Sequence, residues 1–198
     1  MTALDTMRLF AAVFPPAEVA QRLAGAARGV ARGFSANAVA WSRPEQIHLT
    51  LAFLGGVPRA KVGEFERALD EACRRGQRHL LQACGLGCFP APARARVLWA
   101  GLDGDLAALD GLKRALDENL AGLGYAPDKR PFHPHLTLGR VKQWTAGDGR
   151  HLAAALPAGR QTEFGPCMVE RVELMQSVLL PAGAQYTLVR SFPLWGRE

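Results

Sequence analysis

The sequence predicts an α+β fold of two related lobes, each an antiparallel sheet with flanking helices, and three observations carry that expectation. Strand-like alternation and helical spacing succeed one another along the whole chain. The tetrapeptide His-Leu-Thr-Leu occurs twice, at 48–51 and 135–138, once in each half. The glycine fingerprint of a dinucleotide-binding parallel sheet is absent. Because strand and helix flank the repeat in both halves, the expectation is one domain over 1–198, made of two interleaved, pseudo-two-fold-related lobes with a cleft between them.

The elements follow in order. MRLFAAVF, 7–14, reads as a buried first strand ended by Pro15-Pro16. PAEVAQRLAGAARGVARGF, 16–34, carries Val19, Leu23 and Ala26-Ala27 at helical spacing, with proline at its start. IHLTLAFL, 47–54, alternates as a strand. Residues 58–76 place Val62, Phe65, Leu69 and Ala72 on one helical face, with Gly76 as a stop. Two strands are expected at 79–89 and 95–102. A helix follows at 106–124, its face formed by Leu106, Leu109, Leu112, Leu116 and Leu120. HLTLGRV, 135–141, is a strand, and 151–156 a short helix. MVERVELMQSVLL, 168–180, reads as one strand, and AQYTLVRSFPL, 184–194, as the last.

Bulk properties narrow the class. Apolar residues make up 48% and charged residues 21%, which points to a soluble globular protein. No stretch approaches the roughly 18 apolar residues of a membrane span. The run LFAAVF, 9–14, is too short for a signal core, so a cytoplasmic protein without a membrane partner is expected. A net charge of +6 permits an anionic partner such as a nucleic acid, although the basic residues are scattered. Cys73, Cys84, Cys88 and Cys167 form no CxxC pair and read as reduced, buried thiols rather than a zinc site.

The repeat carries the chemistry. With five His and seven Thr in 198 residues, chance supplies about 0.2 His-x-Thr triplets, so two inside identical tetrapeptides need a reason. Alternation along a strand puts His48 and Thr50 on one face and Leu49 and Leu51 on the other, and likewise His135 and Thr137 against Leu136 and Leu138. With the leucines on the core, both His-Thr pairs face a cleft. Two imidazoles titrating near neutrality form an acid–base pair suited to in-line displacement at phosphorus. Two threonine hydroxyls can hold the non-bridging oxygens. Arg140 lies on the wrong side of an ideal strand, but a bulge at Gly139 would turn its guanidinium to the anion. No metal or other cofactor is required. His133 and His135 also read as a possible metal pair, disfavoured by Pro134 and the lack of nearby carboxylates. A structural β-hairpin repeat is the bland alternative.

Four stretches resemble a known family. RLFAAVFPP (8–16), WSRPEQIHLTLAFLG (41–55), FHPHLTLGR (132–140) and LMQSVLLPAGAQYTLVRSFPL (174–194) are similar to the 2H phosphoesterase superfamily, defined by two His-x-Thr motifs. The closest resemblance is to its bacterial and archaeal branch of RNA 2′,3′-cyclic phosphodiesterases, also called 2′-5′ RNA ligases. His133 departs from that branch's usual residue.

The resemblance implies a bilobal fold and a metal-independent site in which His48 donates a proton to the leaving 3′ oxygen and His135 activates water. Thr50 and Thr137 would hold the phosphate. The implied substrates are RNA ends or oligonucleotides with a 2′,3′-cyclic phosphate, tRNA fragments among them, opened to a 2′-phosphate by a monomeric protein. The reverse reaction would be 2′-5′ ligation. Phe10, Phe53 and Tyr186 are candidate aromatic contacts, and Arg43 and Arg130 candidate phosphate contacts. The alternatives are a phosphodiesterase of another 2H branch, for a nucleotide cyclic phosphate or a 2′-5′ oligonucleotide, and a non-catalytic RNA-end binding module.

Overall fold

Proline and glycine mark most element boundaries in the computed structural model, which describes residues 6–128, 130–180 and 183–195. β1 (Thr6–Val13) ends before Pro15-Pro16, and α1 (Ala17–Ala31) starts directly after Pro16. A three-residue strand, β2 (Val39–Trp41), lacks the length to show a periodicity and is absent from the sequence expectation. β3 (Leu49–Pro58) begins one residue after His48, later than the expected start at 47. A 3-10 turn over Arg59–Lys61 takes the first residues of the expected second helix, so α2 runs Val62–Arg75. β4 (His79–Phe89), β5 (Val97–Gly104), α3 (Leu106–Ala121) and β6 (His135–Val141) lie close to their expected ranges.

Two expectations need correction. The helix expected at 151–156 is α4, Ala146–Gly159. Its earlier start comes from a capping box in which the Thr145 hydroxyl accepts from Asp148 N–H while the Asp148 carboxylate accepts from Thr145 N–H. The same carboxylate accepts from the Ser35 N–H beyond α1, at 2.7 Å. The single strand expected at 168–180 is two, β7 (Glu163–Val169) and β8 (Arg171–Leu180), parted at Glu170. β7 pairs with β4, whereas β8 pairs with β1 and β9 (Gly183–Pro193), so the chain changes partners at that residue.

The strands form one antiparallel sheet in the order β7-β4-β5-β6-β3-β1-β8-β9, with β2 on β6. Its two four-strand halves meet at a seam. β3 and β6 share only the register pair Leu49↔Leu136, while every other neighbouring pair on that path is longer. The helices are exchanged between halves. α1, from the chain's start, packs on β6 and β7, while α3, from its middle, packs with α2 beneath the other half.

All this helical mass covers one face of the sheet. Leu9, Ala11 and Val13 of β1, Leu49 and Leu51 of β3, and Leu136 and Leu138 of β6 are buried in one core with Leu23, Leu69, Leu116 and Leu120 of the helices. Each buried leucine or valine among them contributes about 1.5–3 kcal/mol, and together they fix which face of β3 and β6 looks outward. A one-residue slip at the seam would exchange the leucines for histidine and threonine. Among the described residues no helix is long and apolar enough to cross a membrane.

Candidate active site

The seam register decides the geometry of the open face. With Leu49 opposite Leu136 in an antiparallel pair, His48 lies opposite Thr137 and Thr50 opposite His135. Four polar side chains from two distant segments therefore converge where the halves are least tightly joined. Beside them on the same face, Ala12 pairs with Thr50 and Gly101 with His135, while the larger Trp99 pairs with Thr137.

Both imidazoles are held in the same way. His48 Nδ1 lies 2.7 Å from the carbonyl oxygen of Gln46, and His135 Nδ1 lies 2.7 Å from that of His133. A carbonyl only accepts, so Nδ1 carries the proton and donates it. Nε2 is then the working atom of each ring, a base when bare and an acid when protonated. The carbonyl two residues earlier thus sets the tautomer twice over.

Surroundings differ more than orientation. Phe10 stacks on His48 at 4.9 Å between ring centroids, Phe14 lies at 5.3 Å, and Tyr186 meets it edge-on at 5.4 Å. Burial is the main force pulling His48 down to about 4. The positive charges of Arg140 and His135 add to it, and the Gln46 carbonyl opposes it. His135 meets Phe89 edge-on at 5.1 Å and Trp99 at 6.4 Å. Burial lowers it too, with Arg140 and His133 adding to the effect and the His133 carbonyl opposing.

Arg140 is exposed and acts on both rings. It reaches them through a bulge. Leu98 pairs with Gly139 and Trp99 with Thr137, so Leu138 is passed over and the strand changes phase. Leu138 and Gly139 are accordingly both buried, and Arg140 returns to the face of His135 and Thr137. A Cβ on Gly139 would lie 2.6 Å from a Val39 methyl, so the glycine is also required for β2 to approach.

The remaining sequence candidates separate into two groups. Phe10 is 4% exposed and forms a small open-face cluster with Ala12 and Met175, against which Tyr186 packs. Phe53 is 66% exposed and lies 6.5 Å from Phe10, at the margin of that cluster. These three aromatics gather on the His48 side. Arg43 pairs with Glu45 and Arg130 with Asp128, both on the surface, and neither is among the charges acting on the histidines.

Sequence reasoning missed Phe14, Phe89 and Trp99, which lie on or beside strands far from either motif and carry no pattern of their own. It also missed Gln46, whose carbonyl orients His48 while its side-chain amide donates to Ala184 O at 2.6 Å. That bond ties the Tyr186 strand to the turn bearing His48. Among the described residues no three His, Cys, Asp or Glu side chains are grouped to hold a metal ion. The four cysteines are free, Cys73 and Cys167 buried and Cys84 and Cys88 half-buried.

Comparison with known proteins shows what the chain as a whole is similar to. A family model described as LigT like Phosphoesterase matches residues 13–99 and 103–186. An RNA 2′,3′-cyclic phosphodiesterase of Aeropyrum pernix is 34% identical over 72% of this chain and 78% of its own. One of Methanothermobacter thermautotrophicus is 35% identical over 79% and 83%. Among solved structures, a Thermus thermophilus protein superposes with a TM-score of 0.76 at 30% identity, covering 97% of this chain and all of that one. The Escherichia coli LigT complexed with 3′-AMP gives 0.70 at 27%, covering 96% and 98%.

Proposed function

From the premise that this chain belongs to the LigT-like phosphoesterase family, we propose that it hydrolyses the 2′,3′-cyclic phosphate at the end of an RNA, with His48 and His135 as its acid and base. The supporting observation is the Leu49↔Leu136 seam, beside which both imidazoles are held by Nδ1 on the carbonyl two residues earlier and lie near enough for the charges of His135 and Arg140 to act on His48.

The cyclic phosphate lies between the rings, its non-bridging oxygens accepting from the Thr50 and Thr137 hydroxyls and from Arg140. Bare Nε2 of His135 takes a proton from a water molecule, whose oxygen forms the new bond to phosphorus. The bond from phosphorus to the 3′ oxygen breaks on the opposite side, and that oxygen takes the proton from Nε2 of His48. A 2′-phosphate and a free 3′-hydroxyl result, and each ring has changed protonation state. A 5′-hydroxyl in place of water, attacking in the same sense with the same leaving 3′ oxygen, would give a 2′-5′ linkage.

In the ligand-free protein His48 is held down to about 4, so it is neutral at pH 7. The substrate supplies what it lacks. A phosphodiester anion between the rings opposes the Arg140 charge and raises both imidazoles, which lets one carry the proton that the leaving oxygen needs. The acid role of His48 therefore depends on bound substrate.

The deciding experiment incubates the protein, with EDTA present, with RNA ending in a 2′,3′-cyclic phosphate, and identifies the product isomer. A 2′-phosphate is expected. A 3′-phosphate would make the 2′ oxygen the leaving group and reverse the substrate's orientation between the two histidines, and no product between pH 5 and 9 would leave a binding module instead.

A further inference from the structure

The last two strands outrun the sheet to which they belong. β8 pairs with β1 only from Glu173 to Gln176, whose partner is Leu9, while its pairing with β9 continues to Leu180↔Gly183. Residues 177–180 and 183–186 therefore pair only with each other and form a two-stranded arm. Val178, Leu179 and Leu180 are all exposed, whereas a strand lying against the helices would bury every second residue.

The arm does not extend outward. In a flat sheet Tyr186 would lie level with Arg8, the residue beyond Leu9↔Gln176. His48 would lie level with Phe14, the residue beyond Val13↔Leu49. Arg8 and Phe14 are six residues apart in the chain, about 20 Å of strand. Yet the ring centroids of Tyr186 and His48 are 5.4 Å apart, and Tyr186 meets Phe10 at 5.0 Å. The arm is thus folded back across the open face. Ala184 and Tyr186 are half-buried on its inner side, and Gly183, Gln185 and Thr187 are exposed on its outer side.

One side chain holds it there. Among the described residues, and apart from the strand ladder itself, a single hydrogen bond joins the arm to the rest of the chain. It runs from Gln46 Nε2 to the Ala184 carbonyl, at 2.6 Å. The remainder of Gln46 is engaged on the other side: its Oε1 accepts from the Arg43 N–H at 3.2 Å, and its main-chain carbonyl accepts from Nδ1 of His48. The same residue fixes the orientation of His48 through its backbone and the cover over His48 through its amide.

We propose that the Gln46 amide is a positioning residue of the reaction, clasping the arm so that Tyr186 closes the His48 side of the cleft to water. The proposal rests on the reading of His48 as the acid. A dry ring passes its proton to the leaving oxygen and not to solvent. The groups that face His48 are Arg140 and His135 from β6, Phe10 from β1 with Phe14 just past it, Tyr186 from β9 and the Gln46 carbonyl. Burial has the largest effect among them, so uncovering the ring moves it most.

The test is a double-mutant cycle between Tyr186→Ala and Gln46→Met, which keeps the length and the backbone carbonyl of Gln46 and deletes its amide. NMR titration follows both imidazoles, and turnover of a cyclic-phosphate dinucleotide is measured, on proteins checked for an unaltered melting temperature. Gln46→Met is expected to raise the His48 midpoint by about one, a tenfold gain in proton affinity, and to leave His135 unmoved. It should lower kcat by about tenfold, short of the ~10²-fold cost of a catalytic group displaced outright. Tyr186→Ala does the same, and the double variant no more than either single change, because the amide acts through the ring. Tyr186→Phe keeps the ring and stays near wild type. An unmoved His48 in Gln46→Met, equal shifts in both histidines, a shifted His48 with turnover unchanged, or additive effects in the double variant would overturn the proposal. The wild-type protein gives a check that needs no substitution. Its Gln46 side-chain amide protons should exchange slowly with water, and exchange as fast as in free glutamine would also overturn it. A wild-type protein that shows the clasp in all these respects but hydrolyses nothing would defeat the reading of His48 as the acid and leave the clasp standing.

Discussion

The two His-Leu-Thr-Leu segments hold their imidazoles alike and surround them differently. In both, the leucines enter the core beneath the sheet, the histidine and threonine face outward, and Nδ1 donates to the carbonyl two residues earlier. Orientation is thus a local property that repeats with the sequence. The surroundings are not. His48 lies among Phe10, Phe14 and Tyr186 and is pulled down to about 4, whereas His135 meets the edge of Phe89 and the more distant Trp99. The aromatic neighbours come from other strands, so one tetrapeptide yields two rings in different surroundings, both of them lowered by burial and by Arg140.

The largest test removes one member at a time. His48→Ala and His135→Ala should each lower turnover of a cyclic-phosphate dinucleotide by about 10²–10⁴-fold, the usual worth of a general acid or base. Steady-state rates on variants of unaltered melting temperature measure it. Loss in only one of the two would break the symmetry of the account.

Next in size is Arg140→Ala. It removes a donor to the phosphate and should cost about 10²–10³-fold in kcat/KM. Its charge lowers both imidazoles, so its loss should raise both pKa values, an outcome that NMR titration of the ring protons reads directly. A variant with both rings unmoved would detach Arg140 from the site. Arg140→Lys keeps the charge without the planar fork, and should hold the pKa values near wild type while losing part of the rate.

The smallest effect concerns pH. Turnover needs one ring protonated and the other bare. In the free protein both rings titrate below the ordinary histidine value of 6.5, His48 at about 4, so both are bare above 6.5. The profile of kcat/KM, which reports free-protein ionisations, should therefore be a bell with its maximum between those values. A maximum above pH 7 would contradict the burial argument. Tyr186→Ala admits water to His48 alone and should move the acid limb upward, narrowing the bell from one side. The sign extends to folding. His48 takes a proton less readily folded than unfolded, so it contributes stability above 6.5 that is lost as pH falls towards 4.

Much of this was legible in the chain because alternation and core burial are the same fact seen twice. HLTLGRV, residues 135–141, has β6's bounds, and Gly139 marks the bulge that returns Arg140 to the open face. Legibility ended where partners change without a change of pattern. Residues 168–180 keep strand character throughout, so nothing local announces the break at Glu170, where the chain leaves β4 for β1. Gly165 and Pro166 disguised the start of β7, a strand at the sheet's edge where a proline costs no ladder bond. Phe14, Phe89 and Trp99 were hidden for a related reason. A core-type residue on a strand becomes a site residue only through which face of which neighbour it meets.

The central claim is that both imidazoles address one phosphorus, and one titration tests it most directly. Adenosine 2′-phosphate, a product-like ligand, is added to protein labelled with ¹⁵N in its histidines, and the ring nitrogens of His48 and His135 are followed together. The account predicts that a single equivalent shifts Nε2 of both rings along one binding curve, with both pKa values rising as the anion settles between them. A curve in which only one ring responds, or in which the second needs a second ligand, would contradict it.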